Sequence, residues 1–293
     1  MRHSIKMRLG AVAALMAMSV LTACEKPLFP AEEGADQNGN LQVSVYQIEK
    51  TPFTRLTRTE QAASEVCTRL NFAVYDTEGS RVKQVNQTSD KSGFGTASFS
   101  LEEGEYQLVV VGHSSNGNPT MTNLEKIKFT NDIGYTDTFL YSETVTVGEE
   151  SVEKHVCLDR IVSLCRFELT DDYPSGVKKM RFYYTGGSGA FNAETRLGSV
   201  ASKQTVMVDV TSGQKRFDLY TFLHEQSDNI ALMVTALDDS DNVLHEREFD
   251  VPMEQNHITW LSGAFFNGSG SSSASFNGVT VNTDWAGETH LTF

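Results

Sequence analysis

Short segments in which apolar and polar residues alternate constrain the fold of this chain more than any other feature. Leu70, Phe72 and Val74 occupy every second position of one segment, and Met180 and Phe182 do the same in another. A period of two places the apolar side chains on one face of a β-strand. Clusters of Gly, Asn and Asp separate the segments, and no stretch has the apolar spacing of an amphipathic helix. The sequence therefore predicts an all-β chain of antiparallel sandwiches.

Composition divides the chain into a leader, a tether and two domains. The predicted bounds are 1–23 for the leader, 24–40 for the tether, 41–152 for the first sandwich domain and 153–293 for the second. The break is placed at the charged, glycine-containing stretch 148–153, and 155–170 is expected to open the second domain as one long strand. A mature chain of roughly 270 residues suits two domains at about 150 residues each.

The first 24 residues have the pattern of an export signal that ends in a lipid attachment site. Three basic residues precede the apolar run Leu9–Val20, which is shorter than the roughly 20 residues of a membrane-spanning helix. Leu21-Thr22-Ala23-Cys24 follows and closely resembles a bacterial lipobox. We therefore expect the mature chain to begin at Cys24, with its thiol carrying the lipid. An ordinary secretory signal with an incidental cysteine is the alternative.

The charge of the chain makes nucleic acid an unsuitable partner. The formal net charge is −14, and loss of the three basic residues of the leader takes it to −17. A surface this acidic repels phosphate backbones and anionic lipid headgroups. Membrane contact is therefore expected through the lipid alone, and most of the carboxylates are expected to keep an exported protein soluble.

Three cysteines, Cys67, Cys157 and Cys165, follow the predicted lipidation site. In an oxidising compartment they allow at most one disulfide. Cys157 and Cys165 are expected to lie about 26 Å apart on one straight strand, too far for a bond between them. Cys67 could pair with either, or all three could be buried thiols.

Motifs of catalysis, metal binding and cofactor binding are weak in this sequence. The glycines of 185–189 lack the lysine and helix of a phosphate loop, so a turn between strands is expected. Asp239, Asp241 and Asn242 lack the glycine and the distal glutamate of a calcium loop, and a hairpin turn accounts for them. The histidines are scattered, and no nucleophile elbow occurs. We therefore expect no enzyme activity, no cofactor and no metal.

Four stretches together resemble one known family. They are CTRLNFAVYDTEGSRVKQVNQ (67–87), YQLVVVGHSSNGNPT (106–120), DRIVSLCRFELTDDYPSGVKKMRFYYTGGSG (159–189) and the strand 256–260. With the lipobox, they are similar to the FimB-type fimbrial subunit and anchor family of the type V pili of Bacteroidota, over most of residues 66–266. The resemblance implies two transthyretin-like β-sandwich domains, a surface position at the outer membrane through a lipid such as palmitate, and a role in cell adhesion without enzymatic activity.

The resemblance also implies partners and an assembly mode. The partners are other fimbrial subunits that join by β-strand exchange, and a host or bacterial surface ligand. Segment 41–49 is expected to be the first strand of the first domain, and Arg55 and Arg58 after it are candidate sites of proteolytic processing. If the strand is retained the chain is an anchor, which we favour; if it is cleaved off the chain is a stalk or tip subunit.

A surface glycan-binding lipoprotein is a second hypothesis, and it depends on the two tryptophans. A glycan binder needs an exposed aromatic ring as a platform for a sugar. Trp260 lies in a predicted strand and is expected in the core. Trp285 lies in a predicted exposed turn, which keeps the hypothesis open.

The predicted hairpin 278–293 follows a Ser- and Gly-rich segment at 267–275. Its strands are expected at 278–283 and 288–293. A flexible link of about ten residues spans roughly 17 Å, enough to reach a neighbouring subunit. Two roles stay open at this point: the hairpin is donated during assembly, or it completes the second domain.

Overall fold

The computed structural model describes residues 39–49, 63–210, 213–267, 275–276 and 285–293. Almost all of the regular structure in these ranges is β-strand, as predicted, and the one helix, α1 (Ala63–Val66), has four residues. The strands are β1 (Leu41–Glu49), β2 (Arg69–Tyr75), β3 (Arg81–Thr88), β4 (Thr96–Phe99), β5 (Gly104–His113), β6 (Ile127–Lys128), β7 (Thr138–Val147), β8 (Val152–Arg160), β9 (Ser163–Leu169), β10 (Lys179–Thr185), β11 (Ala190–Phe191), β12 (Gln204–Asp209), β13 (Arg216–Thr221), β14 (Ser227–Leu237), β15 (Val243–Glu254), β16 (His257–Gly263), β17 (Ser275–Phe276) and β18 (Gly287–Thr292).

The first sandwich is one seven-stranded sheet that folds over its own core. The strand order is β3-β2-β5-β7-β8-β1-β4. β7 pairs with β5 along its whole length, but it pairs with β8 only at Phe139 and Leu140. The sheet therefore bends between β7 and β8, and the layer β8-β1-β4 packs across the layer β3-β2-β5-β7. The core between the layers includes Leu41, Val43, Ile48, Phe72, Val74, Leu108, Val110, Phe139, Val156 and Leu158.

Two separate sheets form the second sandwich. Their strand orders are β12-β10-β14-β15 and β13-β9-β16-β18-β17. Most pairs are antiparallel, but β1 with β8, β16 with β9 and β16 with β18 are parallel, which differs from the purely antiparallel expectation. The core of this sandwich is rich in aromatic rings and includes Phe167, Phe182, Phe217, Phe249, Phe265 and Leu291.

A third core joins the two sandwiches. It is lined by Ala73, Tyr75, Val109, Val111, Leu140, Ile161, Val162, Leu164, Phe191, Phe222, Ile258 and Trp285. β6 and β11 also pair across the junction, and the Phe129 N–H donates to the Gly189 carbonyl over 2.7 Å. The central strands β2 and β5 are thus covered on both faces.

The run 155–170 is two strands, which corrects the prediction of one. β8 ends at Arg160 and pairs with β1 and β7 of the first sheet, whereas β9 starts at Ser163 and belongs to the second sandwich. Sheet membership therefore changes at Ile161 and Val162, and not at 148–153. None of the three described cysteines is disulfide-bonded. Cys165 is buried in the core of the second sandwich, whereas Cys67 lies in the core of the first sandwich and Cys157 lies in β8 of the first sheet.

The last predicted strand is part of the second sandwich of the same chain. β18 lies between β16 and β17, and Leu291 is 3% exposed in the core. The Phe293 ring stacks on Phe167 with 5.3 Å between the ring centroids. The other predicted strand of the hairpin, 278–283, lies outside the described residues.

Because β18 supplies core side chains, we predict that deleting residues 278–293 lowers the melting temperature and exposes apolar surface. A milder test is Leu291→Ala, which should cost about 2–5 kcal/mol of unfolding free energy, as buried leucine truncations do. Thr292→Ala on the exposed face of the same strand is the matched control. A truncated chain that melts at the wild-type temperature would show that the segment is dispensable and free for donation.

His113 carries the clearest pH dependence in the first sandwich. Its side chain is fully buried, its Nε2 lies 2.7 Å from Asn71 Oδ1, and its Nδ1 accepts the Ser115 N–H over 3.1 Å. With Nδ1 as an acceptor, Nε2 carries the hydrogen and the ring is neutral. Burial, together with the smaller effect of the nearby Arg69 cation, lowers the pKa of His113 from 6.5 to about 3.

The unfolded chain thus binds a proton at this site between pH 6.5 and 3 that the folded chain does not. We predict that stability falls as pH drops below 6.5, with a contribution from His113 of up to about 1.4 kcal/mol per pH unit. Urea unfolding at several pH values, with His113→Gln as the comparison, measures this slope. Equal slopes for the two proteins would refute the assignment to His113.

Candidate functional site: the first strand and its slot

The first strand occupies an interior position in the first sheet. β1 runs parallel to β8 on one side and antiparallel to β4 on the other, with Leu41 opposite both Val152 and Phe99. Both of its hydrogen-bonding edges are therefore used over residues 41–44. We call the space that β1 fills between β8 and β4 the slot.

Apolar side chains on one face of β1 hold it in the slot. Leu41 and Ile48 are fully buried and Val43 is 2% exposed, all in the core of the first sandwich. Burial of each such side chain is worth about 1.5–3 kcal/mol. On the other face, the Ser44 hydroxyl lies 2.9 Å from His155 Nδ1 of β8. Removing β1 would expose the core and leave two strand edges unpaired.

The start of β1 is fastened by Asn40. Its side chain donates to the Leu101 carbonyl over 2.8 Å and accepts the Leu101 N–H over 2.9 Å, and its carbonyl accepts the Val152 N–H. Gly39 passes so close to β4 that a Cβ there would lie 2.6 Å from the Phe99 carbonyl oxygen. This fastening has no local signature in the sequence, because it joins Asn40 to the backbone of two distant segments.

The far half of β1 contains a bulge at Tyr46. Val45 lies opposite Val156 and Gln47 opposite Cys157, so Tyr46 has no partner residue on β8. The Tyr46 side chain is 69% exposed. One signal of the bulge is present in the sequence, because Val45 and Ile48 are three positions apart where strict alternation would give two or four.

The lipidation and processing residues predicted from the sequence cannot be placed beside this strand. Cys24, Arg55 and Arg58 lie outside the described residues, and their roles stay predictions. Along the chain, Arg55 and Arg58 fall between the end of β1 at Glu49 and α1, which begins at Ala63.

Both tryptophans are unavailable as sugar platforms, and for Trp285 this corrects the prediction of an exposed turn. Trp285 is 6% exposed in the third core, with the Arg160 guanidinium 4.0 Å from its ring centre. Trp260 is half-buried and packs against the third core. His290 of β18 stacks on it at 5.4 Å, and Arg166 of β9 lies over its ring from the other neighbouring strand at 5.0 Å. Neither indole ring offers a free face, so the observation that favoured a glycan binder is lost.

Metal-ligating side chains do not cluster in the part of the chain that the structure describes. No group of three or more His, Cys, Asp or Glu side chains among them could hold a metal ion. A groove of about 380 Å³ is lined mainly by polar and acidic side chains, among them Asp76, Glu78, Glu105 and Glu125.

Residues 239–242 form the hairpin turn between β14 and β15, as predicted, with the Asp238 carboxylate accepting the Ser240 and Asn242 N–H groups. None of the helices in the described ranges is long and apolar enough to cross a membrane.

No curated protein sequence matches the chain. Solved structures do match over most of its length, at low identity. A candidate adhesin from Bacteroides ovatus is 14% identical, with a TM-score of 0.45 and coverage of 73% of this chain and 84% of that one. A candidate cell adhesion protein from the same organism is 13% identical, with a TM-score of 0.44 and coverage of 78% and 93%.

The fimbrial anchor protein Mfa2 from Porphyromonas gingivalis is 14% identical, with a TM-score of 0.43 and coverage of 71% of this chain and 80% of that one. The finer FimB-type assignment stays a prediction, because the family model that matches is a different one. That model is described as a family of unknown function, DUF6562, and it spans residues 33–292. The chain therefore belongs to the DUF6562 family.

Proposed function

We propose that the protein is a lipid-tethered subunit of a surface fimbria and acts as an anchor that joins other subunits by strand exchange. The observation that carries the proposal is the interior position of β1. The strand that follows the predicted tether directly is paired on both edges and fills an apolar slot. Lipid attachment, tether and slot strand are thus consecutive along the chain.

Strand exchange follows from the physics of sheet edges. Without β1, the facing edges of β8 and β4 would present unpaired N–H and C=O groups beside an apolar groove. Such an edge pairs readily with a strand from another chain, because the added strand supplies both the hydrogen bonds and the buried side chains. A strand of a neighbouring subunit would supply both, so a neighbouring subunit is the partner that this edge suits.

Processing after Arg55 or Arg58 decides between the anchor and the alternative of a stalk or tip subunit. A cut there separates the lipid and β1 from the rest of the chain. A chain that keeps β1 has a filled slot, stays on the membrane and ends the assembly at the cell surface. The anchor assignment and the lipidation rest on the sequence pattern of residues 1–58.

We predict that Cys24→Ala moves the protein from the detergent phase to the soluble fraction. Two or three acyl chains, at about 0.8 kcal/mol per buried CH₂, give stable anchoring where a single chain gives only marginal binding. Phase partitioning of cell envelopes measures the change, and Thr22→Ser, which keeps the thiol, is the control. Membrane retention of the Cys24→Ala protein equal to wild type would contradict lipid tethering.

We also predict that limited trypsin treatment of the purified protein cuts first after Arg55 or Arg58 while the sandwiches stay folded, because exposed loops are where nicking concentrates. Protein recovered from assembled fimbriae should nevertheless begin at Cys24 if it is the anchor. Mass spectrometry of the native N-terminus is the measurement. A native N-terminus at Leu56 or Thr59 would make the protein a stalk or tip subunit.

A further inference from the structure

The bulge at Tyr46 means that β1 is one residue too long for its slot. The nine residues of β1 lie opposite only eight residues of β8, Val152–Asp159. The additional residue is taken up where Tyr46 leaves the ladder. A bulge of this kind disrupts the ladder locally and leaves the extra residue unpaired.

The slot itself has the regular spacing of an ordinary strand. Leu41 and Val43 point into the core at alternate positions, and Ile48 returns to the core side only because the bulge shifts the alternation by one. Without Tyr46, Val45 and Ile48 would be two positions apart, and four apolar residues would alternate without interruption. The same partners on β8 would then face the same inward side chains.

The bulge also coincides with the end of the pairing to β4. Residues 41–44 pair with β4, and the Val45 N–H donates to the Gly95 carbonyl over 2.7 Å. Within the described ranges, Gln47–Glu49 pair only with β8. The half of β1 beyond the bulge therefore pairs with one neighbouring strand, and burial of Ile48 holds it further. The helix α1 also contacts β1.

We propose that the bulge at Tyr46 makes β1 a replaceable occupant, and that the slot selects incoming strands with four apolar residues in unbroken alternation. This inference rests on the proposed strand exchange and adds a recognition rule to it. The partner is a strand of another subunit whose inward residues occupy positions one, three, five and seven. Such a strand gains the ladder pairing that β1 loses at the bulge, and one net hydrogen bond is worth about a two- to tenfold change in affinity.

The first test compares two variants of the full-length chain. Deleting Tyr46 removes the extra residue, whereas Tyr46→Ala removes only the exposed ring and keeps the extra residue. We expect the deletion to slow amide hydrogen exchange of residues 41–48 by about two- to tenfold, as one gained hydrogen bond would, and Tyr46→Ala to leave it near wild type. Exchange that is unchanged or faster in the deletion variant would overturn the proposal, as would equal slowing by Tyr46→Ala.

The second test measures the selection directly. Protein cut within residues 54–58 is incubated with one of three labelled peptides, and uptake is measured as the dissociation constant of the folded complex. The peptides are the native LQVSVYQIE, the regular LQVSVQIE and the control LQDSVQIE, which places a carboxylate at the buried Val43 position. We expect the regular peptide to bind about two- to tenfold more tightly than the native one, for the same hydrogen-bond reason, and the control not to bind.

The two ways in which this experiment can fail are distinguishable. Uptake of the native and regular peptides with equal affinity, or preference for the native one, would overturn the recognition rule and leave strand exchange intact. Uptake of neither peptide by the folded, cut chain would contradict strand exchange itself and the rule with it.

Discussion

Burial of the central strands of the first sheet on both faces is the constraint on which the rest of the structure depends. Phe72 and Val74 of β2 face the core of the first sandwich, while Ala73 and Tyr75 face the third core. The apolar run of β5 is covered in the same way, since Leu108 and Val110 face one core and Val109 and Val111 the other. Neither sandwich can be separated from the other without exposing this surface to water, so the junction ties the slot to the second sandwich.

Arg160 lies at this junction and makes both an ion pair and an aromatic contact. Its guanidinium donates to both carboxylate oxygens of Asp137, over 2.7 and 2.8 Å, and lies over Trp285 just before β18. The Arg160 side chain is 2% exposed, so removing its carboxylate partner would leave a buried charge, which is strongly destabilising. The contact holds the beginning of the last strand against the end of β8, and β8 is also the wall of the slot. The two ends of the described chain are therefore held by opposite ends of one strand.

Much of the fold could be predicted from local patterns, and what could not depends on contacts between distant residues. Alternation identified the strands, and the turn at 239–242 followed from its residue types. The strand break at Ile161 and Val162 was missed because both residues are apolar and continue the run of β8 into β9, although they pack into the junction. Trp285 was expected in solvent because its neighbours are polar, but Arg160, 125 positions earlier, covers its ring. The strand β1 was predicted from the sequence, whereas its fastening at Asn40 depends on Leu101 and Val152 and has no local signature.

The uneven attachment of β1 would give the proposed strand exchange a direction. Leu41 and Val43 are held by two neighbouring strands and by the fastening at Asn40, whereas the residues beyond Tyr46 have β8 alone among the described strands. In an uncut chain, the link from Glu49 to α1 keeps the loosely held end close to its slot, at the high effective concentration that a short connection provides. A cut after Arg55 or Arg58 would remove that link, and the loosely held end would then open first. An incoming strand would thus begin to pair next to Cys157 and Leu158, and displace β1 towards Asn40. A chain that is never cut would keep its first strand despite the bulge, because the intact link holds the loosely paired end of β1 close to its slot.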